Sequence, residues 1–280
     1  MRFSLADLAR RQRNIRRSAI VIRDIAPPST LASNLYARAY RPIIQAWTDA
    51  TPRIVSSYER TLSAMVTDAP ADIQAEINAT AGLLERLFLL LTPDIRDWAL
   101  MTERTMRRKW IGAVLSAASV DLTTLLGTED VRASLDTHIS WNVALVRDVS
   151  DVTRQRISSA VFDGLRNRTP ARDVAKTITE AVGISRRRAL NISSDQTSKL
   201  TSSLADERRR QASILEWSWV HSKKLHPRQS HQARDGKVYS DDPSRVGQSI
   251  NGKTIEPLPP TRPGQEPYCG CRSKSVISLD

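Results

Sequence analysis

WSWVHSKKLHPRQSHQARDGKVY, residues 217–239, and PGQEPYCGCR, residues 263–272, decide the fold of the C-terminal part of this chain. The two segments hold three of the four histidines, both cysteines and most of the tight-turn signals. The residues before them have the apolar spacing of helices and few chemically distinctive groups. We therefore expect function to depend on this C-terminal region and on the helices that precede it.

Strand patterning begins at Leu215, where Leu215, Trp217 and Trp219 alternate with other residues at a period of two. Turns are predicted at Asp235-Gly236, Asn251-Gly252 and Pro263-Gly264. We assign a structural turn role to Asp235, Gly236, Pro263 and Gly264. A last strand is expected within Tyr268 to Ile277. The sequence thus predicts a small β module over residues 216–280, of a size that often needs a staple.

Four side chains in this module are of the types that bind zinc: His226, His231, Cys269 and Cys271. Zinc takes thiolate sulfur and imidazole nitrogen in a tetrahedral shell, and the turns can bring the two pairs together. The alternative is that the cysteines are small packing residues and the histidines form ordinary hydrogen bonds. Zinc is the cofactor that we expect, and the sequence predicts no other.

Residues 31–215 have helical spacing throughout. Thr51 before Pro52 and Thr92 before Pro93 predict two helix starts, since a capping residue often precedes proline at the first helical position. Gly183 is expected to end one helix, and Ser185 to cap the next. Core positions are predicted for three tryptophans: Trp47, Trp98 and Trp110.

The N-terminal residues 1–25 are basic and have approximate helical spacing, and Asp24 to Thr30 then breaks the pattern with consecutive prolines. This favours either an arm that docks on another surface or a disordered tail. The expected organisation is a basic arm over 1–30, a helical region over 31–140, a second helical region over 141–215 and the β module. The fold class is mainly α with a small C-terminal β-rich module (α+β), on an elongated helical body.

The chain of 280 residues carries a net charge of +12, which favours an anionic partner. No apolar run is long enough to cross a bilayer, and the N-terminus lacks the pattern of a secretory signal. Cysteines in C-x-C spacing do not favour a disulfide, so a reduced compartment is expected. The arginine clusters are candidate contacts for nucleic acid or a partner, or else solvated helix faces: Arg10, Arg11, Arg13, Arg16, Arg17, Arg186, Arg187, Arg188, Arg208, Arg209 and Arg210.

Three stretches resemble the head morphogenesis proteins of tailed phages, the family typified by protein F of phage Mu. The first runs from Asn142 to Gly164, and the second is Arg188-Ala189 with the Asp195-Gln196-Thr197-Ser198 run. The third combines the tryptophans, His231, the Asp235-Gly236 turn and the Cys269-Gly-Cys271 motif. Together they cover about residues 140–275. The chain departs from the family in having Ser193-Ser194 where relatives have Ala-Arg, and in the order of its histidines, proline and arginine.

The resemblance implies a minor head protein that is structural and has no catalytic residues. It implies a portal protein as partner, with major capsid or scaffolding protein as further candidates, and a role in assembly and in the retention or ejection of DNA. Contact with double-stranded DNA would be through phosphates. The expected location is the virion, in the capsid interior or at the portal vertex, after assembly in the host cytoplasm and with no membrane contact.

Two other functions fit the sequence. A metal-dependent nucleic-acid-processing enzyme would use a histidine near the Asp-Gly turn to activate water, but the chain lacks a convincing set of carboxylates to hold the metal. A general DNA-binding accessory protein would need only the basic surface. Copurification with a portal oligomer distinguishes the minor head protein from both alternatives.

Overall fold

Long helices make up most of the chain in the computed structural model, which describes residues 2–12, 18–64, 70–225 and 227–279. The α-helices are α1 Leu5–Gln12, α2 Ser29–Leu35, α3 Arg41–Ala64, α4 Pro70–Ala118, α5 Arg132–Arg166, α6 Ala171–Gln211 and α7 Gln229–Gln232. A π-helical turn, Tyr36–Tyr40, joins α2 to α3, and short 3-10 turns lie at Glu129–Val131 and Pro243–Arg245. The strands are β1 Ala19–Val21, β2 Glu216–Val220, β3 Val238–Ser240, β4 Ser249–Ile250, β5 Lys253–Glu256 and β6 Arg272–Ser278. The predicted fold class, mainly α with a C-terminal β module, is confirmed.

The six strands form one sheet in the order β1-β6-β2-β3-β5-β4. β6 pairs antiparallel with β1 on one side and with β2 on the other, with Trp217 opposite Ser275. β3 pairs antiparallel with β2 and parallel with β5. The turn at Asn251-Gly252 joins the antiparallel strands β4 and β5, as the sequence predicts, with both residues at positive φ.

The N-terminal residues are not helical as far as residue 25, so the helix prediction is wrong beyond the end of α1 in the described part. β1 instead adds an edge strand to the sheet, and Ile22 N donates to Ser275 O at 2.9 Å. The buried side chains of Leu5 and Ile22 lie in one apolar cluster with Ile277. Burial of these side chains and the hydrogen bonds of β1 stabilise the extended conformation, although the spacing of apolar residues in the sequence favours a helix.

Two predicted helix starts, at Pro52 and at Pro93, are also wrong. Both prolines lie inside continuous helices, α3 and α4. Interior proline costs a helix about 3 kcal/mol, but burial of apolar side chains on both sides of the proline offsets that cost. In α3 these flanking side chains are Trp47 and Ile54, both fully buried. Thr51 donates its hydroxyl to Trp47 O at 3.0 Å within the helix and caps no helix start.

The predicted break at Gly183 and Ser185 is wrong for the same reason. Helix α6 passes through both positions, with Val182 and Ala189 buried on either side. Ser185 Oγ donates to Ala181 O at 3.1 Å, so its hydroxyl bonds within the helix and does not cap a new one. A glycine in a helix interior costs only about 1 kcal/mol. Burial of the neighbouring apolar side chains stabilises the helix by more than that.

The chain forms two compact units, each built from segments distant in sequence. Unit 1 comprises Met1–Leu31, Ala99–His138 and Ser194–Asp280, and unit 2 comprises Ala32–Trp98 and Ile139–Ser193. The predicted burial of Trp47, Trp98 and Trp110 is confirmed, since each is at most 5% exposed. The sheet and the cysteine motif belong to unit 1. Within the described residues, no helix combines the length and apolarity that a membrane span requires.

Candidate metal centre

His231, Cys269 and Cys271 converge on one point in unit 1. His231 lies in α7, Cys269 lies in the loop before β6, and Cys271 directly precedes that strand. His231 Nδ1 is 3.5 Å from Cys269 Sγ and 3.7 Å from Cys271 Sγ, and the three ligand atoms all lie within 4.8 Å of one another. Each of the three residues is only 3% exposed, and both cysteines are free thiols. Three of the four predicted zinc ligands are therefore adjacent, whereas His226 lies outside the described residues.

Glu266 orients the imidazole of His231. His231 Nε2 is 3.1 Å from Glu266 Oε1, which also accepts a hydrogen bond from Thr261 Oγ1 at 2.8 Å. The Thr261 hydroxyl and then His231 lower the pKa of Glu266, so this carboxyl is a hydrogen-bond acceptor at neutral pH. Because a carboxylate only accepts, Nε2 carries the imidazole proton and Nδ1 keeps its lone pair toward the two sulfurs.

The two sulfurs differ in their protonation. A hydrogen bond from the Cys271 thiol lowers the pKa of Cys269, and the backbone N–H groups of Cys271 and Gly264 lower it further. The pKa of Cys271 is raised, first by its hydrogen bond to Cys269 and then by burial. One thiolate and one thiol thus share a proton between them in the metal-free chain. Cys269 is the stronger nucleophile and metal ligand of the pair.

Aromatic rings close the site on the sheet side. The Trp219 ring meets the His231 ring edge-on, with centroids 5.2 Å apart. Trp217 lies between Trp219 and Tyr239, at centroid distances of 6.4 Å and 4.8 Å. The three aromatic residues and the two cysteines form one buried cluster. The two sulfurs and the imidazole thus lie buried beside aromatic rings, and their types are those that bind metal.

Two glycines let the cysteine loop approach its neighbours. A Cβ at Gly270 would lie 2.9 Å from Lys224 Cε and 3.1 Å from Ser222 Cβ. Gly264 has φ +83°, and a Cβ there would lie 2.8 Å from Ser202 Cβ on helix α6. Gly264 therefore needs both the left-handed backbone region and close contact with the helix.

The Asp195 motif on α6 holds this same loop. Asp195 Oδ1 accepts a hydrogen bond from Tyr268 N at 2.5 Å, and Asp195 Oδ2 pairs with Lys199 Nζ at 2.9 Å. About two helical turns after Asp195, Ser202 Oγ donates to Pro263 O at 2.5 Å. The serine-rich face of α6 thus packs against the chain's own cysteine loop. Two motifs that are far apart in the sequence form one structure.

The Asp235-Gly236 turn supports the strand next to the site. Asp235 Oδ1 accepts from His221 N at 2.9 Å, and Asp235 Oδ2 pairs with Lys223 Nζ. Hydrogen bonds from Lys223 and His221 lower the pKa of Asp235. Gly236, at φ +78°, donates its N–H to Trp219 O at 2.9 Å. These contacts are structural, and they fit the turn role predicted from the sequence.

The arginine candidates fall into three groups. Arg208 and Arg209 are at most 3% exposed, so the structure argues against a phosphate contact by either one. Arg208 Nη2 bonds Glu103 Oε1 at 2.6 Å, and Arg209 pairs with Asp206 and with Ser273 Oγ. Burial lowers the pKa of both guanidinium groups, and the acidic partners counteract it.

Five of the described candidates are exposed: Arg10, Arg11, Arg186, Arg187 and Arg210. Arg188 is half-buried, and its Nη2 pairs with Asp148 Oδ2 at 2.6 Å. Arg13, Arg16 and Arg17 lie outside the described residues. Of the exposed group, Arg10 pairs with Asp7 at 3.2 Å and Arg210 with Glu207 at 2.6 Å. Of the candidates on α6, Arg186 and Arg187 are adjacent and both exposed.

Glu266 and Trp219 were not assigned to this site from the sequence, although both contact His231. Glu266 lies three residues before Cys269, a spacing that offers a signal for a carboxylate near the ligands. Trp219 was assigned to a strand and to the stretch that resembles the family, but to no site. Its ring faces the site because alternate residues of β2 share a face with Trp217.

Comparison with known proteins supports the family resemblance. A family model described as "Phage Mu protein F like protein" matches residues 155–274. A curated protein of Haemophilus influenzae (strain ATCC 51907 / DSM 11121 / KW20 / Rd), described as an uncharacterized protein, is 23% identical over 143 residues. The alignment covers 49% of this chain and 32% of that protein, so the chain matches about a third of its relative's length. No solved structure matches the chain.

The matched segment runs from the middle of α5 to the first residues of β6 and includes α6, His231 and both cysteines. It contains the Asp195 motif, the two turns and the cysteine loop, which are the features that meet in unit 1. Residues 155–274 of this chain are therefore similar to the Phage Mu protein F-like family, and the other residues are not matched by that model.

Proposed function

We propose that this chain is a structural minor head protein of a tailed phage that acts in head morphogenesis. The match of residues 155–274 to the Phage Mu protein F-like family carries this proposal. The proposed location is the virion, at the portal vertex or inside the capsid. No catalytic step is proposed for any residue of the chain.

The proposed protein partner is the portal protein encoded by the same genome. The basic charge of the chain and the exposed Arg186 and Arg187 on α6 also favour contact with packaged DNA. Such contact would bind phosphates without reading base sequence, which suits the retention or ejection of a whole genome. Arg208 and Arg209 take no part in this interface because their guanidinium groups bond to acidic and polar partners within unit 1.

Coexpression with the portal protein tests the role in the head. We expect a complex that persists through size-exclusion chromatography at physiological salt, with a mass above that of the portal oligomer. A portal oligomer that elutes without this chain at both low and physiological salt would contradict the proposal. A complex with portal protein would also exclude a general DNA-binding accessory protein.

Salt-dependent DNA binding tests the phosphate interface separately. An R186A/R187A variant should reduce the slope of log affinity against log salt by about 2, since each lost phosphate contact contributes about 0.9. Arg132→Ala is the matched control, because Arg132 is exposed but already pairs with Glu129 at 3.2 Å. Equal slopes for wild type and the double variant would exclude these two arginines from the interface.

A further inference from the structure

We infer that His231, Cys269 and Cys271 bind one zinc ion, through Nδ1 and the two sulfurs, with solvent as the fourth ligand. The inference is independent of the proposed role in the phage head. It rests on the distances between the three ligand atoms, their burial and the group that orients the histidine.

The distances fit a tetrahedral zinc shell. Bonds of about 2.3 Å to sulfur and about 2.0–2.1 Å to nitrogen place sulfur and nitrogen about 3.6 Å apart at the tetrahedral angle. The distances from His231 Nδ1 to the two sulfurs are 3.5 Å and 3.7 Å. The chain therefore already holds His231 Nδ1 at the distance from both sulfurs that the ion requires.

Hydrogen bonding alone is a poorer account of the same geometry. The lone pair of Nδ1 accepts one well-directed hydrogen bond, yet two sulfurs lie at nearly equal distances from it. A cation between the three atoms interacts favourably with all of them at once. It also compensates the burial of sulfur and imidazole next to Trp219.

The surroundings of the ligands are those of a metal-binding histidine and thiolates. Glu266 Oε1 accepts a hydrogen bond from His231 Nε2–H, an arrangement that fixes the ring and keeps the Nδ1 lone pair toward the sulfurs. Backbone N–H groups of Gly264 and Cys271 bond Cys269 Sγ, and that of Ser222 bonds Cys271 Sγ. These donors favour the thiolate forms that bind metal.

The donor set selects the metal. Two thiolates and an imidazole prefer zinc over magnesium or calcium, which take oxygen ligands. Within the described residues, no other His, Cys, Asp or Glu joins the three as a ligand group. Three protein ligands leave one position of a tetrahedral shell, and the proposal fills it with solvent.

Elemental analysis of the full chain, purified under reducing conditions with zinc in the growth medium, tests the site. We expect about one zinc per chain, and loss of at least tenfold in a C269S/C271S variant. His221→Asn is the matched control, because His221 is buried in the same unit but its Nδ1 accepts a hydrogen bond from Lys223 N. That control should keep its zinc. Zinc retained in C269S/C271S would overturn the assignment.

A misfolded double cysteine variant would lose zinc for a different reason, so cobalt titration of the metal-free wild-type chain provides a second test. We expect a thiolate-to-cobalt charge-transfer band together with the visible bands of a tetrahedral ion. Glu266→Gln should keep these bands but weaken cobalt affinity about 10- to 100-fold. A reduced, folded wild-type chain that takes up neither cobalt nor zinc would overturn the inference.

His226→Ala tests the solvent ligand. Undiminished zinc content in this variant supports three protein ligands, whereas loss equal to that of C269S/C271S would overturn the three-residue site. Circular dichroism on each variant shows whether the helices persist, so that a loss of metal is not confused with a loss of fold.

Discussion

Unit 2 and unit 1 differ in the chemistry of their buried side chains. The buried polar side chains of unit 2 are small and uncharged, as in Ser57, Thr80 and Ser150. In unit 1 they include ionisable groups, among them Glu103, Arg208 and His231. Burial of apolar side chains dominates the interior of unit 2, whereas the interior of unit 1 also contains pairs between ionisable residues distant in sequence, such as Arg208 with Glu103. The predictions below test that contrast.

The largest effect is expected for Trp47→Ala in unit 2. Trp47 is fully buried, and its Nε1 donates to Ser150 Oγ at 3.3 Å. Removing the indole should reduce the free energy of unfolding by about 3–5 kcal/mol, measured by denaturant titration. Trp141→Ala is the control, because Trp141 is 48% exposed and its loss should cost about 0.5 kcal/mol or less. Similar losses for the two variants would contradict a core built from apolar burial.

In unit 1, Arg208→Ala should cost about 3 kcal/mol, because it leaves the carboxylate of Glu103 buried without its closest cation. The Arg208–Glu103 pair has side chains only 4% and 1% exposed. Arg210→Ala is the matched control in the same helical turn, since Arg210 pairs with Glu207 at the surface. That exposed pair should contribute at most about 1 kcal/mol. A cost of that size for Arg208→Ala as well would remove the proposed contrast with unit 2.

Acid should destabilise unit 1 through His138. Burial, and then the charge of Lys199, lowers the pKa of His138 from 6.5 to about 4. The unfolded chain binds the proton first, so the stability from this group is present above pH 6.5 and is lost as the pH falls toward 4. Between pH 7 and pH 5 the loss should be about 2 kcal/mol. Unfolding free energies of wild type and of His138→Gln, measured over this pH range, separate the contribution of His138 from that of other groups. If the two free energies changed equally with pH, His138 would not be buried in its neutral form.

The smallest effect concerns two glycines of unit 1 with similar backbones and different surroundings. Gly264 has φ +83° and is crowded by Ser202, whereas Gly247 has φ +86° and open space around its Cα. Gly247→Ala should cost about 1 kcal/mol from the left-handed backbone alone. Gly264→Ala should cost about 1 kcal/mol more, because the loop must also move away from α6. Adding Ser202→Gly should restore that difference in a thermal melt; no restoration would place the strain elsewhere.

Local patterns in the sequence were enough to predict the fold class and several strands of the C-terminal module, but not the edge strand β1, which was predicted as helix. The alternation around Trp217 and Trp219 predicts β2, and the Asn251-Gly252 pair predicts the hairpin between β4 and β5. Helix ends were predicted less well. Pro52, Pro93 and Gly183 are reliable local breakers, but buried neighbours in the folded chain keep all three within helices.

The candidate site was predictable in its ligand types and not in its supporting contacts. Cys269, Cys271 and His231 stand out because their side chains suit a metal. The contact of Asp195 with the Tyr268 backbone joins segments that no local period relates. Arg208 and Arg209 look like surface arginines in a basic run, and only the tertiary positions of Glu103 and Asp206 show that they are buried.

The pairing of β1 with β6 has a consequence for synthesis of the protein on the ribosome. Ala19 of β1 pairs with Ser278 of β6, and β6 leaves the ribosomal exit tunnel long after β1 because it is about 250 residues further along the chain. Unit 2 is complete once residue 193 has emerged, whereas the sheet of unit 1 must wait for residues 272–278. A nascent chain of this protein therefore holds its basic N-terminal segment unpaired through most of translation. That segment is available to chaperones or assembly partners before the sheet covers it.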